Sequence, residues 1–378
     1  MRIQTDVAII GAGYYGCYAT YKLAQQYPHL KFTLVESESE VCTRASSTNQ
    51  GQFHRGYMYT AKPKLALECS EYAKEFEKEF GQAIDTSVKS YYGLHEDSII
   101  SPEQFEATCA LASLPLELQT GPKGLFGPEV AAIYATEEKS INTSEMRKIM
   151  RIRLFLANVN TIYSTYVKRV KKNEKSLELI CNGGTVIEAK QVINATFAGI
   201  NKLHENSGIA LIPTRNDVFL HFMIKLPSRY KNIAATVAVG NYCSLIPSQY
   251  RGSHLLAVAG VRSIATSIDA APNEIVRNDL ARELFEQCQE TCSTWMPVLK
   301  EAELVGFTVG TRTEYRDPLT NISMSEVKVI NNHDDIDGYS VLLGGKISCL
   351  SECVEPLSRQ INARFALPSS LVKHPILN

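Results

Sequence analysis

No stretch of this sequence runs apolar for the roughly 18 residues that would cross a bilayer. No basic segment and apolar run of the secretory kind precedes the first strand-like residues, so a cytoplasmic location is the expectation. A preponderance of one charge is missing too, 39 basic residues facing 40 acidic ones without a long block of either. That balance argues against nucleic acid and against an anionic membrane surface as partners. The 10 cysteines form no CxxC knuckle, and the close pairs Cys288/Cys292 and Cys349/Cys353 stand four apart. Reduced, buried thiols are therefore expected rather than disulfides, and no metal site is expected. Internal repeats, low-complexity tracts and linkers are absent as well. What remains is an ordinary globular composition, 44% hydrophobic over 378 residues, enough to bury the core of one large domain or two.

The most informative stretch is the first, Met1 to Glu36. Asp6-Val7-Ala8-Ile9-Ile10 reads as a strand that breaks at Gly11-Ala12-Gly13-Tyr14-Tyr15-Gly16, continues as a helix around Cys17 to Gln26, and returns as the strand Lys31 to Val35. In such a unit Gly11 allows the tight turn, Gly13 lets the backbone approach a pyrophosphate at the helix N-terminus, and Gly16 lets helix and strand pack closely. Glu36, at the end of the second strand, suits a ribose 2′-OH and would repel a 2′-phosphate. The unit alone predicts a dinucleotide, NAD or FAD.

Residues 37 to 56 form a long polar loop punctuated by glycine, a kind of segment that tends to be functional. An amphipathic helix is expected from Lys64 to Phe80, and another begins at Ser101, a good cap, with Pro102 at its first position. Ser140 to Leu156 reads as helix, and Thr161 to Val170, Ser176 to Cys181 and Thr185 to Ala189 as antiparallel strands. Gln191 to Thr196 is a buried strand. Strands of a second sheet follow at 217–224, 234–239, 242–246 and 254–259, then a long helix from Asn273 to Thr294, and strands at 303–311 and 339–343. Gly344-Gly345 is expected to open a last helix. This order predicts an α/β protein in which a Rossmann-like nucleotide-binding domain (1–88, 140–210 and 312–378) is interleaved with an antiparallel-sheet substrate domain (89–139 and 211–311).

Four stretches together resemble FAD-dependent oxidoreductases of the D-amino-acid oxidase superfamily, the group with glycine and sarcosine oxidases, L-2-hydroxyglutarate oxidase and flavin-linked glycerol-3-phosphate dehydrogenase. The first is the opening unit. The second, Ser46-Ser47-Thr48-Asn49-Gln50-Gly51-Gln52-Phe53-His54-Arg55-Gly56, is similar to the Ser-x-x-Asn-x-Gly-x-x-His-x-Gly loop of the hydroxyglutarate branch. The third, Val192 to Gly199, resembles the family's Val-x-Asn-Ala-x-Gly segment. The fourth comprises Gly310-Thr311-Arg312-Thr313, with Thr313 where the family usually has proline, and Gly344-Gly345-Lys346-Ile347-Ser348.

The resemblance implies a glutathione-reductase-type FAD domain and an FAD held without a covalent tether, since no tethering cysteine stands out late in the chain. It implies cofactor contacts from Gly11, Ala12, Gly13, Tyr14, Tyr15, Gly16, Glu36 and Ser37, and from the loop residues Arg44, Ala45, Ser46, Ser47, Asn49, Gln50, Gly51, Gln52, Phe53 and His54. Later contacts are expected from Val167, Ala195, Thr196, Gly199, Arg312, Gly344, Gly345, Lys346, Ile347 and Ser348. Such a cofactor takes a hydride from a C–H beside a hydroxyl or an amine. An amine donor needs only its neutral form, whereas an alcohol donor needs a base, for which His54 is the first candidate and His221 and His254 the others. Arg312, Arg262, Arg55 and Arg215 are candidate clamps for a substrate carboxylate, in that order for the first two, with Tyr57 and Tyr242 as hydrogen-bonding neighbours. The expected partner is a small or medium acid, and the electron acceptor is left open. Two other readings stand beside this one: a flavin monooxygenase on the related hydroxylase fold, and a catalytically silent FAD-binding protein marked by Thr313. A halogenase is excluded, because its paired-tryptophan signature needs more than Trp295.

Overall fold

The computed structural model describes residues 1–239, 241–248, 250, 252–260, 263–270 and 276–366. Its centre is a parallel array in which the strand Arg2–Ile10 lies between Phe32–Val35 and Val186–Asn194, with Asn160–Ile162 and Tyr339–Leu343 on the outer flanks. The apolar run Val7 to Ile10 is almost wholly excluded from solvent, as a strand covered on both faces must be. Helix Tyr14–Gln26 covers one face and buries Tyr18, Tyr21 and Leu23. An antiparallel hairpin, Val167–Lys172 with Leu177–Cys181, extends the same sheet, and Lys328–Ile330 pairs antiparallel with Tyr339–Leu343.

A second, mostly antiparallel sheet is built from Lys89–His95, Glu117–Gln119, Val130–Thr136 and the strands between Thr214 and Met324. Its backbone is the long pairing of Thr214–Lys225 with Glu303–Arg316. Leu220, Phe222 and Ile224 face the helix Asn278–Cys292 and form a core with Phe285 and Cys288. Because side chains alternate along a strand, Asp217, Phe219 and His221 point the other way, toward the nucleotide unit. His221 Nδ1 lies 3.0 Å from the carbonyl of Thr48 there. A small third sheet joins Gln52–Phe53 and Ile84–Asp85 to Lys139–Ile141.

Several expectations needed revision. The strand expected over 161–170 is two, Asn160–Ile162 and Val167–Lys172, separated where Ser164 adopts a φ of 50°. The segment after Gly344-Gly345 is first a 3-10 helix, Ile347–Cys353, and only then the α-helix Val354–Phe365. The long helix begins at Asn278, residues 271–275 lying outside the described residues. Strand Ser263–Ile268, paired with Thr214–Lys225, was not anticipated. All 10 cysteines are free and buried. Among the described residues no helix is long and apolar enough to cross a membrane, and no cluster of His, Cys, Asp and Glu is arranged to hold a metal.

Candidate active site

The four sequence stretches converge at the carboxyl ends of the parallel strands, where open α/β sheets bind ligands. Gly11 follows Ile10 with φ +99°, and its amide donates to the Val35 carbonyl at 2.8 Å. Register pairs Ile10 with Asn194, so a Cβ on Gly11 would sit 2.8 Å from the Ala195 carbonyl oxygen, and one on Gly16 would sit 1.9 Å from the Gly11 carbonyl oxygen. Gly13 caps the helix, which has no side-chain cap and no acidic residue in its first turn. Its N-terminus thus keeps its partial positive charge for an anion. A Cβ built on Gly13 would meet Ser46 Oγ at 3.3 Å.

Glu36 ends its strand with 8% exposure and accepts hydrogen bonds from the Ala12 amide at 2.6 Å, the Ser37 hydroxyl at 3.0 Å and the Glu38 amide at 2.9 Å. A carboxylate offers about four acceptor positions, so capacity remains for a ribose hydroxyl. The Thr165 amide donates to the Glu36 carbonyl, which brings the approach to Val167 beside this carboxylate. On the other side, Thr196 donates through its amide and hydroxyl to Asn194 Oδ1, and the Gly199 amide donates to the Thr196 carbonyl.

The loop from Arg44 to Gly56 ties this turn to the second sheet. Its short helix Ala45–Thr48 presents Ser46 Oγ to the Tyr14 amide at 3.0 Å, and Asn49 Nδ2 donates to the carbonyls of Ala45 and Ser46. Ser47 turns inward to the Thr43 carbonyl, while Arg44 pairs with Glu38. Gln50 donates to the Ser244 and Leu255 carbonyls, Asn49 Oδ1 accepts from the Gly51 amide, and Phe53 stacks on Phe76. A helix end without an acidic residue in its first turn, a glycine approach and a spare carboxylate lone pair are what a pyrophosphate-linked adenine dinucleotide requires, and the residues present fit it.

Beyond Phe53 the loop reaches His54, whose side chain is 23% exposed. Its ring stands 5.9 Å from that of Tyr59, and Lys346 Nζ lies 4.7 Å above the Tyr59 ring, a cation–π distance. Lys346 also donates to Ser325 Oγ at 3.3 Å, and its carbonyl accepts from the Tyr15 hydroxyl at 2.6 Å. Gly344 and Gly345 leave room for neighbours: a Cβ on the first would meet the Tyr15 ring at 2.4 Å, and on the second the Ser325 carbonyl oxygen at 2.4 Å. Tyr242 lies on the strand Asn241–Pro247, opposite Ala238, and its carbonyl accepts from the Ala259 amide at 2.9 Å.

Arg312 is held by Asp217 at 2.8 Å and faces Glu314 at 3.7 Å, with 48% of its side chain exposed. Burial works against its charge, but Glu314, Asp217 and Tyr242 outweigh it and keep its pKa above the usual arginine value. Asp217 also takes Arg215 at 3.1 Å and the Thr266 hydroxyl at 2.6 Å. Arg312 is thus half of an ion-paired cluster rather than a bare cation.

Other candidates have different tasks. Tyr57 is fully buried, and its hydroxyl donates to the Pro115 carbonyl at 2.7 Å, so it anchors the loop instead of facing a substrate. His254 lies in the core with Nε2 near the Tyr230 and Ile233 carbonyls, and burial pulls its pKa down to about 4. Arg55 pairs with Glu137 at 2.8 Å. Arg262 lies outside the described residues. Two residues were missed. Tyr59 stands beside Lys346, whereas the 3-10 turn buries Tyr57 two residues earlier. Glu138, 2% exposed, puts Oε1 3.7 Å from His54 Nδ1 and accepts from Gln52 Nε2 at 2.5 Å. The run Glu137-Glu138-Lys139 carries no pattern that distinguishes it from a solvated turn.

Residues 6–345 match the family described as FAD dependent oxidoreductase, DAO. A mitochondrial L-2-hydroxyglutarate dehydrogenase of Caenorhabditis briggsae is 38% identical over 74 residues, 19% of this chain and 17% of that one. A glycerol 3-phosphate dehydrogenase of Caloramator mitchellensis is 26% identical over 237 residues, 57% of this chain and 47% of that one. The chain therefore spans less than half the length of either relative. The crystal structure of glycine oxidase from Geobacillus kaustophilus superposes with a TM-score of 0.68 at 15% identity, covering 100% of both chains. With the family matched over nearly its whole length and that fold reproduced, the chain belongs to the DAO family of FAD-dependent oxidoreductases, and its cofactor is FAD.

Proposed function

We propose that the chain oxidises a small hydroxy acid to the corresponding keto compound. Bound FAD supplies the hydride acceptor for the carbon that carries the hydroxyl. The observation that supports this reading most is His54, a partly exposed imidazole at the tip of the cofactor loop, grouped with Tyr59 and Lys346. In this reading His54 takes the hydroxyl proton, Lys346 and the unengaged N–H groups of Arg312 hold the substrate's anion, and Tyr242 borders the pocket. The residues 1–88, 140–210 and 312–378 would carry the cofactor and 89–139 with 211–311 the wall facing the substrate, the strand Glu303–Arg316 running across that boundary along its partner Thr214–Lys225.

The test is anaerobic mixing of the holoenzyme with 2-hydroxy acids, 2-amino acids and polyol phosphates, following loss of flavin absorbance. A 2-hydroxy acid should bleach the flavin, and His54→Asn should slow that step by about 10²- to 10⁴-fold while FAD stays bound. Bleaching by amino acids alone, at an undiminished rate in His54→Asn, would refute the reading.

A further inference from the structure

Glu138 places a carboxyl group inside the fold. It sits on the turn between Val130–Thr136 and Lys139–Ile141 with 2% of its surface exposed. Among the described residues no lysine or arginine pairs with it; the adjacent Arg55 guanidinium goes to Glu137 instead. A buried carboxylate is costly unless its charge is answered. An ionisable group that faces it is the His54 ring, Nδ1 to Oε1 at 3.7 Å. That Nδ1 is itself buried and without a hydrogen-bond partner. An N–H···O bond needs about 3 Å, so a small ring rotation closes the gap.

The loop is also wrapped around this one carboxylate. Two residues before His54, Gln52 Nε2 donates to Oε2, and one residue after it the Arg55 amide donates to Oε1 at 3.3 Å. The imidazole is therefore pinned from both flanks with Nδ1 inward, and the exposure it has lies on the opposite edge, which carries Nε2.

We propose that Glu138 is a positioning residue for His54: its carboxylate holds the ring proton on Nδ1 and leaves Nε2 bare to act as the base. This rests on the reading of His54 given above. During turnover the substrate O–H bond breaks and an N–H bond forms at Nε2. Bound FAD would accept the carbinol hydrogen with its electron pair, leaving a carbonyl at that carbon. The Glu138 carboxylate stabilises the imidazolium so formed. It supplies no proton.

A merely structural Glu138 would staple the loop, and Glu138→Gln keeps the bond from Gln52 Nε2 with its amide oxygen while its NH2 takes the place of Oε1, giving up the Arg55 amide and facing Nδ1 as a donor. The deciding measurement is the tautomer of His54 in the substrate-free holoenzyme. It is read by long-range ¹H–¹⁵N correlation at alkaline pH and assigned by the signals lost in His54→Asn. The wild-type ring should carry its proton on Nδ1, and Glu138→Gln should shift it toward Nε2. In the same variant kcat for a hydroxy acid should fall about 10²-fold while KM and FAD content stay within a few-fold. A wild-type proton on Nε2, or a tautomer unchanged in Glu138→Gln, overturns the proposal. The tautomer is measured without substrate, so a failure of His54→Asn to slow turnover would count against the function and not against this pairing.

Discussion

Substituting Gly344 with alanine separates two roles for the turn before Lys346. The added Cβ would lie 2.4 Å from Tyr15 Cδ2, 2.8 Å from Cγ and 2.9 Å from Cε2. Carbon atoms rest about 3.5 to 4.0 Å apart, so the ring must retreat by about 1 Å. It has little freedom to do so, because its hydroxyl donates to the Lys346 carbonyl at 2.6 Å. Overpacking costs about 1–3 kcal/mol, and loss of that bond adds about 1 kcal/mol. Gly344→Ala should therefore destabilise the protein by about 2–4 kcal/mol in urea unfolding, with FAD present or removed. Shrinking the obstruction in Tyr15→Leu/Gly344→Ala should recover more than about 1 kcal/mol of this, the non-additivity expected of touching residues. If Gly344→Ala instead unfolds at the wild-type urea concentration and only its FAD affinity drops, the glycine serves cofactor approach alone, and the packing argument fails.

Two further substitutions test charges near the site. Burial raises the Asp217 carboxyl, but the Thr266 hydroxyl, Arg312 and Arg215 outweigh it and hold it below the usual aspartate range. A folded-state pKa below the unfolded one stabilises above about pH 4 and is lost as pH falls through the folded value. Asp217→Asn should thus cost about 1–3 kcal/mol near neutrality, less than the about 3–5 kcal/mol of a fully buried pair because Arg312 is half exposed, and should flatten the acid limb of stability against pH. Glu352 has the opposite sign: burial pushes its carboxyl up to about 7, against the pull of Lys346. Its ionisation penalises the fold progressively from about pH 4.5 to about pH 7, so Glu352→Gln should raise the thermal midpoint at about pH 8 and not at about pH 4. Equal midpoints at both pH values would show that Glu352 ionises without cost.

The nucleotide half of the site was legible because its signals are local. Gly11, Gly13 and Gly16 act within one turn, and Glu36 follows at a fixed distance along a βαβ unit. Ser101 and Pro102 likewise mark a helix start that the structure completes as a capping box with Gln104. The substrate half depends on contacts that spacing does not encode. Arg312 meets Asp217 because two long strands pair in one register, and a one-residue slip would part them. Tyr57 and Tyr59 are indistinguishable as letters, yet a single 3-10 turn buries the first and leaves the second beside Lys346. Glu138 acquires meaning only when a loop from 84 positions earlier closes over it, which sequence periodicity has no means to register.

The placement of Tyr339–Leu343 against Val192–Asn194 also bears on how the molecule is made. Until that strand emerges during synthesis, the parallel array presents an open, apolar edge, and the opening βαβ unit has no Lys346 turn to lock Tyr15. Assembly therefore ends with a pairing of high sequence separation, a slow kind of step that leaves its partner strands exposed to off-pathway association. A nascent chain arrested before residue 339 should be held in a chaperone-bound, aggregation-prone form, and the flavin site should come into being only as that strand slots home.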